Sequence, residues 1–162
     1  MSRRLTLVLL LLLAPTLAAQ QVDPTPGSLV EQVRALRSGE YIWVPQVAPK
    51  GPTLLLVNVT TQRATLYRNG VPIGATTVST GRPGYDTPTG VFTILEKRTR
   101  HFSAKYDNAP MPYMQRLTWY GIALHAGHLP GRPASHGCIR LRNADIVRLA
   151  SELPIGTPIT IS

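Results

Sequence analysis

Asn69-Gly70 sits between two runs of strand-forming residues, and this pair limits the fold of the chain more than any other local feature. Both central positions of a type I′ turn need positive φ, which Asn and Gly adopt most readily, so the pair predicts a β-hairpin. On its N-terminal side Arg63 to Arg68 alternates, with Ala64 and Leu66 between polar neighbours; on its C-terminal side Val71 to Thr80 continues the pairing. Leu54 to Val59 is an apolar, β-branched run just upstream. Gly81, Pro83 and Gly84 break the pattern, Thr87-Pro88-Thr89-Gly90 makes a tight turn, and Val91 to Leu95 resumes as a strand. Gly121 to His125 and Thr157 to Ile161 read as two more strands. Only Ala144 to Leu153 gathers its apolar residues, Ile146, Val147, Leu149, Ala150 and Leu153, on one helical face. Residues 53–162 are therefore expected to form a mainly β domain with one packed helix.

The residues upstream carry an address. Arg3 and Arg4 precede an almost wholly apolar stretch from Leu5 to Ala14, and small residues follow through Ala18 and Ala19. This is the order of a secretory signal peptide, expected over residues 1–19. The apolar run is about half of the roughly 20 residues a membrane span requires, so no stable span is expected once the segment is cleaved. Residues 20–52 read as a linker with a short helix. Ser28 and Glu31 form a capping-box pattern ahead of Val30, Val33, Ala35 and Leu36, and Gly39 ends the helix.

Export places the single Cys138 where thiols tend to be oxidised, and it has no second cysteine in the chain to pair with. The formal net charge of +9, with its basic run Lys97-Arg98-Thr99-Arg100-His101, raises the question of nucleic acid. Export and the scarcity of aromatic residues argue against it, and a solvated face drawn to anionic envelope polymers is the expected role.

Three of the four histidines and the only cysteine fall between His125 and Cys138. A thiol is a useful nucleophile when a basic neighbour raises its thiolate fraction, which at an unperturbed pKa near about 8.5 is a few per cent at neutral pH. Gly137 removes a side chain next to Cys138, so backbone N–H groups can approach a developing oxyanion. Arg140 and Arg142 add positive potential suited to a carboxylate-bearing substrate. His125, His128, His136 and Cys138 are also zinc-ligand types, but their spacing follows no zinc pattern, so no metal is expected. His128 is a second candidate base; it and His101 are expected on loops or the surface. Met111-Pro112-Tyr113-Met114, Trp119 and Tyr120 either wall a substrate groove or fill the core.

Ser135-His136-Gly137-Cys138-Ile139-Arg140-Leu141, with His125 upstream, resembles the active-site signature of the L,D-transpeptidase catalytic domain family, also called YkuD. Asn69-Gly70, Ser79-Thr80-Gly81 and Thr87-Pro88-Thr89-Gly90-Val91-Phe92 resemble the blocks that precede that signature, so the resemblance covers residues 53–162. One departure is the interval between His125 and Ser135, shorter than the family pattern, which implies a tighter loop over the site.

The resemblance implies an L,D-transpeptidase-like β-sandwich, exported to the periplasm or cell wall, acting on peptidoglycan stem peptides as a monomer without metal or organic cofactor. It implies that Cys138 attacks the carbonyl between a diamino acid and D-Ala, and that the resulting thioester passes to an amine as a 3-3 cross-link. His125 is then the proton donor and acceptor. The amides of Gly137 and Cys138 are the expected oxyanion donors. His136 either transfers protons or holds the cysteine loop, and Ser135, Arg140 and Tyr113 are expected to contact substrate. Two alternatives stand beside this: a hydrolase of the same fold, as an L,D-carboxypeptidase or amidase, and an inactive cell-wall-binding module.

Overall fold

A computed structural model describes residues 23–162; the expected signal peptide lies outside them. Strands β2 (Thr53–Asn58), β3 (Arg63–Arg68) and β4 (Val71–Thr77) form an antiparallel meander. Asn69 and Gly70 join β3 to β4 with φ of 51° and 76°, the two positive values that the hairpin reading requires. Along β2, Leu55 and Val57 are fully buried while Leu54 and Leu56 are not, which is the period of a strand with one face in the core.

β1 (Tyr41–Trp43) extends the meander at one edge, and β10 (Pro158–Ile161) and β5 (Gly90–Thr93) extend it at the other, giving a six-stranded sheet in the order β1-β4-β3-β2-β10-β5. A second, four-stranded sheet runs β6 (Glu96–Arg98), β7 (Met114–Arg116), β8 (Ala123–Ala126) and β9 (Ile139–Leu141). Among the described strands, only β2 with β10 and β8 with β9 are parallel. One core joins the two sheets: Leu55, Leu66 and Ile73 from the first meet Leu124, Ile139 and Leu141 from the second, with Ile146 and Leu149 of helix α2 (Asn143–Glu152) and Leu153 at its C-cap.

The sheets and α2 match the expected mainly β fold with one packed helix, and among the described residues the short helix upstream packs on the domain as well. The stretch expected as a linker contains the expected short helix, α1 (Pro26–Ala35), and also contributes β1. Ile42 and Val44 gain burial by closing with Leu29 and Leu36 over Ala75, a small second core that the alternation of a three-residue strand is too short to announce. Ser28 does not cap α1, whose N-cap is Thr25; its hydroxyl instead accepts from Gln32. No described helix is long and apolar enough to cross a membrane.

Candidate active site

The parallel β8–β9 pair builds the site. Leu124 and Ile139 pair in register and are fully buried in the core. Side chains alternate along strands, so His125 and Arg140, the next pair, face the other way, and Cys138 shares the Arg140 side. That side is the floor of a cavity of about 1030 Å³ lined by Cys138, His125, His136, Ser135, Arg140, Tyr113 and His128 together. Trp119 and Tyr120, both strongly exposed, form part of its rim rather than the core. His101, expected on the surface, lines the same cavity.

Cys138 is half-buried and its Sγ donates to the Gly121 carbonyl at 3.3 Å, so the sulfur is held as a thiol. Burial pushes the thiol above its ordinary pKa, against the pull of the Ala123 N–H, Arg140 and Arg116. His125 is 8% exposed. Burial lowers its pKa, the bond to the Ala126 carbonyl opposes this, and Arg140 and His101 add to the lowering. Nδ1 lies 2.8 Å from that carbonyl, which accepts, so Nδ1 bears the proton and Nε2 is left as a base. Desolvation thus favours a neutral thiol and a neutral imidazole in the same cavity.

The turn before β9 is held by hydroxyls. Gly137 takes φ of 110°, a left-handed conformation that suits glycine, and a Cβ there would press on Ile122 Cδ1 at 3.0 Å. Ser135 is 1% exposed; its Oγ accepts from the Gly137 N–H at 3.0 Å and donates to the Cys138 carbonyl at 2.5 Å. The hydroxyl expected to contact substrate is therefore engaged inside the turn. The Gly137 amide, expected as an oxyanion donor, is already donated to Ser135, whereas the Cys138 amide, the other expected donor, has no partner among the described groups.

His136 stacks on Tyr106 with ring centroids 4.4 Å apart and meets Tyr85 edge-on at 4.8 Å. Tyr85, Tyr106 and Lys105 had no signal in the sequence, because loop residues reach the site only through tertiary folding. Arg140 lies in the cavity with its stem against Gly127, where a Cβ would come within 3.0 Å of Arg140 Cδ. It ion-pairs with no described carboxylate, whereas Arg116 bonds Glu96. Arg142 turns away: it grips Asp145 through Nε at 2.8 Å and Nη2 at 2.9 Å and lies over Tyr41, so it adds no charge to the cavity wall. Among the described residues no three His, Cys, Asp or Glu side chains gather closely enough to hold a metal ion.

The upstream blocks surround the same turn. Ser79 and Arg140 exchange backbone bonds at 3.0 Å, and the Thr80 carbonyl accepts from Ala134 and Ser135. Thr87 touches the turn from the opposite side.

Two packed sheets, with a histidine on one of two neighbouring parallel strands and a cysteine in the turn that leads into the other, both lining one cavity, define the class of this domain. The chain belongs to the L,D-transpeptidase catalytic domain family, YkuD, whose model matches residues 52–161. The YkuD protein of Bacillus subtilis (strain 168) is 29% identical over 132 residues, 78% of this chain and 77% of that one. The L,D-transpeptidase of Stackebrandtia nassauensis superposes with a TM-score of 0.65 at 28% identity, over 85% of this chain and 66% of that one. L,D-transpeptidase 3 of Mycobacterium tuberculosis, solved with a faropenem-derived adduct, shares the fold at a TM-score of 0.62 and 23% identity, over 68% of this chain and 60% of that one. The chain spans less than two thirds of both solved chains.

Proposed function

We propose that this chain is an exported cysteine transpeptidase that cleaves the bond between the diamino acid and D-Ala of peptidoglycan tetrapeptide stems and transfers the acyl group to an amine, forming 3-3 cross-links. Residues 1–19 direct export to the periplasm or cell wall, and the domain over 53–162 performs the chemistry. The observation that carries the reading is the shared floor of one cavity, where the His125 base on β8 and the Cys138 thiol, just before the neighbouring β9, both lie with the Cys138 amide unclaimed.

The thiol is neutral at rest, so its proton leaves as the sulfur attacks. Nε2 of His125 takes that proton while Sγ bonds to the scissile carbonyl carbon, and the oxyanion forms against the Cys138 N–H. Collapse breaks the C–N bond, His125 returns the proton to the departing D-Ala amine, and a thioester remains. An acceptor amine then attacks the thioester, gives a proton to His125 and releases the sulfur, which is reprotonated. Arg140 offers its guanidinium to a substrate carboxylate, in a cavity whose described lining contains no Asp or Glu. Tyr113 walls the groove. His136, clasped between two tyrosines, holds the cysteine loop.

Mass spectrometry of tetrapeptide muropeptides incubated with the protein tests this reading. Released D-Ala with a 3-3 dimer is the expected result; tripeptide monomer alone at high acceptor concentration moves the assignment to an L,D-carboxypeptidase. A carbapenem adduct is expected on the wild type and absent from Cys138→Ala. An adduct that persists on the variant removes Cys138 as the nucleophile.

A further inference from the structure

Thr87 grips the turn of Cys138 from the side opposite Ser135. It is 7% exposed, and its Oγ1 accepts the Gly81 N–H at 2.8 Å and donates to the Gly137 carbonyl at 2.8 Å. A hydroxyl has one hydrogen, so with Gly81 as donor the Thr87 hydrogen is committed to Gly137. The position of Thr87 is itself tightly set, since a Cβ on Gly81 would fall 2.7 Å from the Thr87 nitrogen and 1.9 Å from the Tyr85 carbonyl oxygen.

The Gly137 carbonyl and the Cys138 N–H belong to one peptide unit. That unit is planar and trans, so the two groups point in opposite directions, and fixing one aims the other. The Cys138 N–H donates to no described backbone or side-chain group, while its own carbonyl is taken by Ser135. An unclaimed amide on the residue that carries the sulfur is placed to meet the oxygen of a carbonyl attacked by that sulfur.

We infer that Thr87 is a positioning residue that, through the Gly137 carbonyl, aims the Cys138 N–H at the developing oxyanion; this rests on the acyl-transfer reading above. Thr87→Val keeps the shape of the side chain and removes the donor, freeing the peptide unit to tilt. Thr87→Ser keeps the donor. Ser135 cannot compensate, because its contacts are to the Gly137 N–H and the Cys138 carbonyl, which lie in the peptide units on either side.

Two reactions at the same sulfur separate this role from a merely structural one. Acylation by a carbapenem builds an oxyanion; alkylation by iodoacetamide displaces iodide at a saturated carbon and builds none there. Both are followed by intact-protein mass spectrometry on the wild type, Thr87→Val and Thr87→Ser. Loss of a whole oxyanion donor costs about 10² to 10³ in rate, and a misaimed one is expected to cost about 10- to 10²-fold in the limiting acylation rate of Thr87→Val. Alkylation should stay within about threefold of wild type, and Thr87→Ser should stay within about threefold in both reactions. If valine is not accommodated, Thr87→Ala removes the same hydroxyl without bulk and carries the same expectation. Equal slowing of both reactions, or of neither, overturns the inference. A wild type that alkylates but is never acylated overturns instead the acyl-transfer reading beneath it.

Discussion

Burial opposes ionisation of both Cys138 and His125, and the two shifts have opposite consequences for pH dependence. A thiol pushed upward stays protonated across neutral pH; an imidazole pushed downward stays neutral until the solution is more acidic than its ordinary pKa. Acylation, which needs neutral His125, is therefore expected to hold its rate as pH falls through about 6.5 and to decline only below it. Alkylation, which needs free thiolate, is expected to rise with a midpoint above the ordinary thiol value of about 8.5. His125→Ala should lower acylation by at least about 10², and His128→Ala, on an exposed loop residue, by less than about tenfold. Pre-steady-state acylation and alkylation profiles against pH check all four; coincident midpoints near about 8.5 would indicate that free thiolate limits both reactions. Cys138, His125 and Arg140 were legible in the sequence because one short motif and one strand carry them. The grip of Ser135 on its own turn was not, since a side-chain bond to the backbone leaves no spacing pattern, and Thr87 is 50 residues from the carbonyl it holds.

Elements reveal themselves in sequence in proportion to their length. β2, β3, β4 and α2 show enough residues for a period to repeat, and the Asn69-Gly70 turn names its own geometry. β1, β6, β7 and β9 have three residues each, and no alternation is visible over so few. The parallel pairing of β2 with β10 depends on the end of the chain returning to the first sheet, which local pattern does not encode. Lys97 shows the same limit. Its basic run reads as a solvated face, but on β6 its ammonium donates to the Ala150 carbonyl at 2.5 Å and the Leu153 carbonyl at 2.9 Å, a cation at the C-terminal end of α2 where unpaired carbonyls collect. Lys97→Met keeps the apolar stem and removes the charge. Hydrogen bonds to charged groups contribute about 1.5–3 kcal/mol, so the variant should lose about 1–3 kcal/mol, read as a lower urea midpoint at unchanged m-value. An unaltered midpoint would mean that water satisfies those carbonyls equally well.

At the scale of the whole molecule, the family match begins at residue 52, but the packing of this chain does not. β1 covers the edge of β4 with Ile42 opposite Ala75 and Trp43 opposite Gly74, and Trp43 can lie there because a Cβ on Gly74 would come 2.5 Å from its ring. Two further ties cross the same boundary: the Arg63 guanidinium donates to the Leu36 carbonyl at 2.7 Å, and the Gly39 N–H donates to Thr77 Oγ1 at 2.8 Å. Without residues 23–51, β4 becomes a bare edge, Ala75 loses the cover of Leu29, Leu36, Ile42 and Val44, and an unpaired edge is a template for association between copies. A chain beginning at residue 52 is therefore expected to unfold at a lower urea concentration than one beginning at residue 23, and to associate as its concentration rises. Leu29→Ala tests the small core without exposing the edge: Leu29 is 1% exposed, and truncating a buried leucine costs about 2–5 kcal/mol. The expected pattern is loss of stability in both variants, with concentration-dependent sedimentation only in the shortened chain. Equal midpoints for the two chain lengths would show that α1 and β1 lie on the domain without supporting it.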